Sequence, residues 1–367
     1  MFTFANAILF AGAAQGLILA GLLLLKRRGN LIANRILAGV LVILSASILL
    51  HALSHAGVLP LADDHKVLVG LLMILCAPLV YLYTAALTTY RFRVEKKLML
   101  HLFPFGAAFL FGVPLLIAAG DLRVRATLTG VLEALALAVV LVYIIAANNA
   151  LLRHARVIRN NFSSLQKVNL NWLRVFVASL TLFWIFAGLF DTFFKTASWD
   201  VVWAASCVVI YLIGYFGFMQ PEVFSAPVFD PKVVLSPDAP KYEKSSLTPE
   251  MAEAQFRKLV TVMEKEKLYL DKDFGLSRLA QQLGIPLHHL SQIINEKTGS
   301  NFYDYINAQR IEEAKRLLRD PQMSHRSIAS VAFDAGFNSL SAFNAAFKKF
   351  VKSTPSQFRK QLSAPIG

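Results

Sequence analysis

The sequence predicts an all-α protein, a seven-helix transmembrane bundle followed by a cytoplasmic domain of two helix-turn-helix units joined by a long helix. Three observations predict it. The 367 residues are 56% hydrophobic and only 16% charged, with a mean hydropathy of +0.53, more apolar than soluble domains usually are. Before residue 220 the chain holds a series of apolar stretches, each long enough to cross about 30 Å of hydrocarbon as a helix. Near the C-terminus one pattern occurs twice, Leu276-x-x-Leu279-Ala280-x-x-x-Gly284 and Ile328-x-x-Val331-Ala332-x-x-x-Gly336.

The apolar stretches run from Phe4 to Leu25, Leu31 to Leu53, Val67 to Thr89, Leu98 to Ala119, Leu128 to Leu152, Leu173 to Phe194 and Val201 to Phe218. The first has no basic residues before it and is followed by Lys26, Arg27 and Arg28. It therefore reads as a retained span rather than a cleaved secretory signal. Pro78, Pro104 and Pro114 fall inside stretches, where a missing N–H and a clash with the preceding turn predict kinks.

Loop charge sets the expected orientation, because basic residues are held on the cytoplasmic side during insertion. Odd-numbered loops carry Lys26, Arg27 and Arg28, then Arg91, Arg93, Lys96 and Lys97, then Arg153, Arg156, Arg159 and Lys167. Even-numbered loops hold Lys66, Arg123, Arg125 and Lys195 beside Asp63, Asp64, Asp121, Asp191 and Asp200. This asymmetry predicts an N-terminus outside the cytoplasm and, after seven crossings, a C-terminal domain inside it.

Glu133 is the one acid within a span that reads as buried, on the outer side of the fifth stretch. Ionisable groups in hydrocarbon are costly and face a bundle interior or cavity. Glu133 is thus the candidate signal-sensing residue, against the plainer alternative of a structural hydrogen bond. Cys76 and Cys207 lie in apolar runs and read as small packing residues, leaving no disulfide framework or zinc site. The chain contains no P-loop, H-E-x-x-H or G-x-S-x-G, so no catalytic residue, metal or cofactor is expected.

Residues 1–219 form the expected membrane and sensor domain. Residues 220–247, with Pro221, Pro227, Pro231, Pro237 and Pro240, read as a linker, since proline removes donors and favours extended geometry in its predecessor. Thr248-Pro249-Glu250 carries helix-start chemistry: a hydroxyl cap, proline at the first position and an acid in the first turn. Phe256, Leu259, Val260 and Met263 then give residues 248–267 one apolar face, which must be buried against the following domain or against a second chain.

In residues 268–367, each repeated pattern buries one side of a short helix. Its Ala keeps that helix thin where a second crosses, and its Gly allows the turn positive φ. In the first unit Leu287, Leu290 and Ile294 face the core, leaving His288, His289, Ser291, Gln292 and Asn295 outward. Asn301 to Leu318 reads as the long joining helix. In the second unit Phe343, Phe347 and Phe350 read as core. There Ser339, Ser341, Asn344, Ala345 and Lys348 face outward, with Lys349 and Lys352 nearby. Such side chains suit base edges and phosphates when a helix enters a DNA major groove.

Residues 268–360 resemble the C-terminal DNA-binding domain of AraC/XylS-family transcription regulators. The matching words are Leu290-Ser291 with Ile294-Asn295, Asn301-Phe302 with Tyr305-Ile306-Asn307, Arg310-Ile311-x-x-Ala314 with Leu317-Leu318, the second repeat with Gly336-Phe337, Phe343-x-x-x-Phe347-Lys348, and Thr354-Pro355-x-x-Phe358-Arg359. The resemblance covers about a quarter of the chain, and the whole architecture is similar to membrane-bound bacterial members of that family. It departs at Ala345, where many members have Arg, and at Lys352, where many have Gly.

The resemblance implies a bacterial inner-membrane transcription regulator whose helices Leu287 to Glu296 and Ser339 to Lys349 read successive major-groove segments. Double-stranded DNA and the lipid bilayer are the implied partners, a homodimer is compatible with it, and a small-molecule or envelope signal would act on the membrane domain. The alternative is a membrane transporter or receptor-like protein whose helix-turn-helix tail serves protein contacts.

Overall fold

The computed structural model describes residues 4–59, 64–89, 92–93, 95–118, 121–165, 169–179, 200–220, 247–323 and 325–363. The described residues are helical, with several apolar helices and no strand beyond one isolated bridge. Two compact units are present: Met1–Leu152 with Leu170–Glu222, and Arg153–Asn169 with Val223–Gly367.

In the first unit α1 (Phe4–Leu25), α2 (Leu31–His55) and α3 (Asp64–Thr88) follow the first three apolar stretches. Asn30 caps α2 by accepting from Ala33 N at 3.0 Å, while its amide nitrogen donates to Ala86 O at 2.8 Å, fixing α2 against α3. The fourth stretch is not one helix. It is a 3-10 segment (Lys96–Leu102), α4 (Phe103–Ala107), a π turn (Ala108–Gly112) and α5 (Val113–Ala118). Pro104 opens α4, and Pro114 has no N–H for the π turn to accept, so a regular ladder cannot run through both.

Next, α6 (Leu122–Asn161) continues nine residues past the Leu152 expected to end the fifth stretch. Glu133 is in this helix, but its side chain lies outside the described residues. Of the sixth stretch only its beginning, within helical residues 171–179, is described. The seventh corresponds to α7 (Asp200–Met219).

Small residues let α1 approach its neighbours closely, as membrane helices do. A Cβ on Gly12 would lie 2.2 Å from Cys207 Sγ of α7, and one on Gly16 would lie 2.1 Å from Ser45 Oγ of α2. At one end of the same helices His51 stacks on Trp203 with ring centroids 4.5 Å apart, and His55 Nδ1 lies 3.0 Å from Asn6 Oδ1. Trp203 of α7 is thus a packing partner of α2. Among the described residues four helices are long and apolar enough to cross a membrane: Phe4–Leu25, Leu31–His55, Leu68–Thr88 and Thr127–Asn161.

In the second unit, α8 (Pro249–Glu266) starts at Thr248, whose hydroxyl accepts from Met251 N. It docks Leu259 and Met263 onto α9 (Leu276–Leu283) and α10 (Leu287–Thr298), in a cluster with Leu279, Leu290 and Ile294. That is the first of the two burials open to its apolar face. α11 (Phe302–Arg319) belongs to both cores of the unit. Its Phe302, Tyr305 and Ile306 complete the first cluster. Its Ile311, Ala314 and Leu318 build the second with α12 (Ile328–Asp334) and α13 (Leu340–Val351), through Val331, Phe337, Phe343 and Phe347. α14 (Pro355–Ser363) adds Phe358, stacked edge-on against Phe347. Phe350, expected in this core, is instead 37% exposed, because the buried stripe of Phe343 and Phe347 continues four residues on to Val351, which packs against the cluster in the last turn.

Candidate nucleic-acid interface

Two helix pairs, α9–α10 and α12–α13, are strung on α11. The turn of the first pair closes with Gly284 at φ +68° and Ile285 N donating to Ala280 O at 3.1 Å, so the last carbonyls of α9 are satisfied by a left-handed glycine. The turn of the second uses Gly336 at φ +89°. A Cβ there would lie 2.7 Å from Tyr269 O and 2.9 Å from Leu270 Cα, so only glycine lets the segment before α9 cross the second turn.

Ser339 caps α13, its hydroxyl accepting from Ala342 N at 3.3 Å and lying 3.1 Å from Ser341 Oγ. Past this cap, the face opposite Phe343 and Phe347 exposes Ser341, Asn344 and Lys348. These residues share one helical face, as expected from the sequence. Lys349 is also exposed, but its Nζ sits 2.6 Å from Asp304 Oδ1 at the start of α11. The pair holds α13 against α11 and competes with any phosphate for the ammonium group. Lys352 ends α13 in the left-handed region at φ +63°, the conformation for which glycine is the usual residue.

α10 differs. His288 is exposed, and His289 is half-buried with its ring centroid 4.3 Å from that of His288. Burial first, and then the neighbouring His288, lower the His289 pKa below the ordinary 6.5. Asn295 donates to Ser291 O at 2.8 Å, turning its amide back along its own helix. Gln292, expected outward, is buried, 6% exposed. Its Nε2 donates to Glu296 Oε1 at 2.9 Å while its Oε1 has no hydrogen-bond partner among the described residues. The reason is α8: it packs on α10, joined to it by Lys297 and Glu253 at 2.5 Å, and so widens the buried face of α10 beyond the Leu287, Leu290 and Ile294 stripe.

Arg310 has a structural role that its local sequence does not announce. It is 2% exposed in mid α11 and donates to the carbonyls of Tyr269 at 2.6 Å and Asp271 at 2.9 Å. Desolvation brings its pKa down to about 10, which leaves it charged at neutral pH. The available signal was periodicity: Arg310 interrupts the apolar positions Ile306, Ile311 and Ala314 on a helix that has to be buried.

Comparison with known proteins agrees with this architecture. Residues 279–361 match the family model described as a helix-turn-helix domain. The C-terminal part of the chain is therefore a helix-turn-helix domain. More particularly, it is one of the AraC type. Over 103 residues the chain is 31% identical to the HTH-type transcriptional regulator GlxA of Rhizobium meliloti, an alignment covering 28% of this chain and 31% of the relative. Over 102 residues it is 33% identical to an HTH-type transcriptional regulator of Staphylococcus aureus strain COL, covering 28% of this chain and 13% of the relative. The chain thus spans less than a third of the length of these curated relatives. Both are named as regulators and neither as an enzyme. No solved structure matches.

Proposed function

We propose that the chain is a membrane-bound, sequence-specific DNA-binding transcription regulator of bacteria. It lies in the inner membrane with its N-terminus outside and its helix-turn-helix domain in the cytoplasm. The observation that carries the reading is α13, a helix capped by Ser339 whose exposed face holds Ser341, Asn344 and Lys348 while its other face is locked into the second core. A helix so presented suits the major groove, with hydroxyl and amide groups for base edges and an ammonium group for phosphate. His288, His289, Ser291 and Asn295 of α10 take the corresponding place in the first pair, with fewer groups turned outward. Buried Gln292 supports α10 rather than reading bases.

The membrane part is read as seven crossings, supported by the four long apolar helices and the shorter apolar helix Trp203–Met219 together with the loop charges. A single span would suffice for anchoring, so the bundle is assigned a sensing role, with Glu133 as its candidate ligand or proton contact. A homodimer is compatible with this assignment.

The test is selection of bound sequences from random duplex DNA by the full-length protein in nanodiscs, followed by a salt titration and the Asn344→Asp variant. A defined motif is expected, with affinity falling steeply as salt rises and the motif weakened in the variant. If no sequence is enriched over random DNA, the reading fails and the tail is better regarded as a protein-contact module.

A further inference from the structure

The segment that follows α6 within the second unit makes a set of contacts that no local pattern announces. Phe162 forms an antiparallel bridge with Gly275. Ser163, 1% exposed, donates from its hydroxyl to the Phe274 carbonyl. Arg310 Nη1 donates to Ser163 O at 2.9 Å, and Nη2 reaches Ser163 Oγ at 3.3 Å. Ser164 Oγ accepts from Asn338 Nδ2 at 2.6 Å. Phe274 and Gly275 lead directly into α9, Asn338 precedes the cap of α13, and Arg310 sits midway along α11 between the two cores. Three consecutive residues therefore touch the entrance of the first helix pair, the turn of the second and the helix that joins them.

The chemistry of Arg310 makes this segment part of the domain rather than a covering on it. A guanidinium carries five N–H donors and is stable in a buried site only when they are met. The carboxylate of Asp271 is turned to Arg278 at 2.5 Å, so Arg310 is met by carbonyls and a hydroxyl instead. Of its four acceptors, two belong to Tyr269 and Asp271 and two to Ser163. Withdrawing the segment would strand donors in the interior, and residues 269–271, of which Tyr269 and Leu270 also press on Gly336, would have to rearrange to meet them.

We propose that Phe162–Ser164 is a coupling strap: docked, it fixes the two helix pairs in one relative arrangement, and a shift of α6 that withdraws it loosens that arrangement. The consequence for DNA rests on the function proposed above. A docked domain is preorganised for a site spanning two groove segments, so withdrawal lowers affinity without removing any base-reading side chain.

The experiment uses the full chain in nanodiscs. Ser164→Cys and Asn338→Cys together are joined by a short bis-methanethiosulfonate reagent and released by reduction. The native Cys76 and Cys207 are both buried, and each single-cysteine variant serves as a control. The expected result is a crosslink within one chain and slower hydrogen exchange at residues 269–275 and 336–338 when joined. The Ser163→Ala, Ser164→Ala double variant should exchange faster there and bind the duplex enriched in the selection about tenfold more weakly, while the joined protein binds it at least as well as the unmodified chain. Absence of the crosslink, unchanged exchange, or equal affinity of the joined and loosened forms would overturn the strap. If no duplex is enriched at all, the DNA reading fails by itself, and the crosslink and exchange measurements still decide whether the strap docks.

Discussion

Gly284 and Gly336 occupy the same place in two like patterns, yet their surroundings have little in common. Among the described residues a Cβ on Gly284 meets nothing within 4 Å, whereas one on Gly336 runs into the backbone of Tyr269 and Leu270. The same divergence marks the helices that follow. α10 is covered by α8, buries Gln292 and turns Asn295 onto itself, while α13 keeps Ser341, Asn344 and Lys348 exposed. A duplicated pattern secures two similar helix pairs; what packs around each then decides which presents more side chains outward and which is held more firmly in the core.

The largest effect that would break this comparison is at the glycines. Gly284→Ala should cost about 1 kcal/mol, the strain of a left-handed alanine. Gly336→Ala adds overpacking against a backbone that has no rotamer to escape into, and should cost about 3 kcal/mol or more. Thermal unfolding of the full-length protein, with hydrogen exchange to localise the loss to residues 268–363, measures both. Equal penalties would mean that the second turn is not clamped by Tyr269 and Leu270.

The next effect sharpens the contrast on the DNA side. Asn344→Asp should lose about tenfold or more against the selected duplex, the order of one good base contact. Lys348→Ala should weaken all sequences alike and reduce the salt slope by about 1. Asn295→Ala, which removes an amide already bonded to Ser291 O, should lose less than either. Binding isotherms at three salt concentrations separate these outcomes, and a larger loss at Asn295 would reverse the ranking of the two helices.

Much of this was legible in the residues. The apolar runs of α1, α2 and α3, the Thr248 cap, both helix pairs and the outward face of α13 follow from period, caps and glycine placement. What escaped was set by partners distant in sequence. Gln292 reads as outward until α8 is laid across α10, and Lys349 reads as a phosphate ligand until Asp304 is brought within 2.6 Å. Ser163 and Arg310 are 147 positions apart, beyond any periodicity argument. The broken fourth stretch is a different case: Pro104 and Pro114 announced a disturbance, but composition does not say whether proline produces a bend or a change of helix type.

Lys352 offers a smaller and opposite prediction. It closes α13 at φ +63° where Gly299, at +64°, closes α10, so the second pair pays a left-handed lysine that the first avoids. Lys352→Gly should stabilise the domain by up to about 1 kcal/mol, offset in part by the greater freedom of glycine in the unfolded chain. Denaturation compared with the unmodified protein tests the sign, and destabilisation would show that the lysine side chain contributes more than its backbone strain costs.

The smallest effect is a pH response confined to α10. Burial, with His288 beside it, holds the His289 pKa below 6.5 in the folded protein, so the unfolded chain takes up its proton first as pH falls. The contribution of His289 to stability is therefore complete above about pH 6.5 and declines as pH drops from there through the lower folded value. His289→Gln removes the titration and should flatten the stability profile between pH 7 and 5, whereas a substitution at exposed His288 should leave most of the slope in place. Parallel profiles for the His289→Gln and unmodified proteins would mean that α10 does not shield His289, and the proposed difference in covering between the two pairs would lose one of its supports.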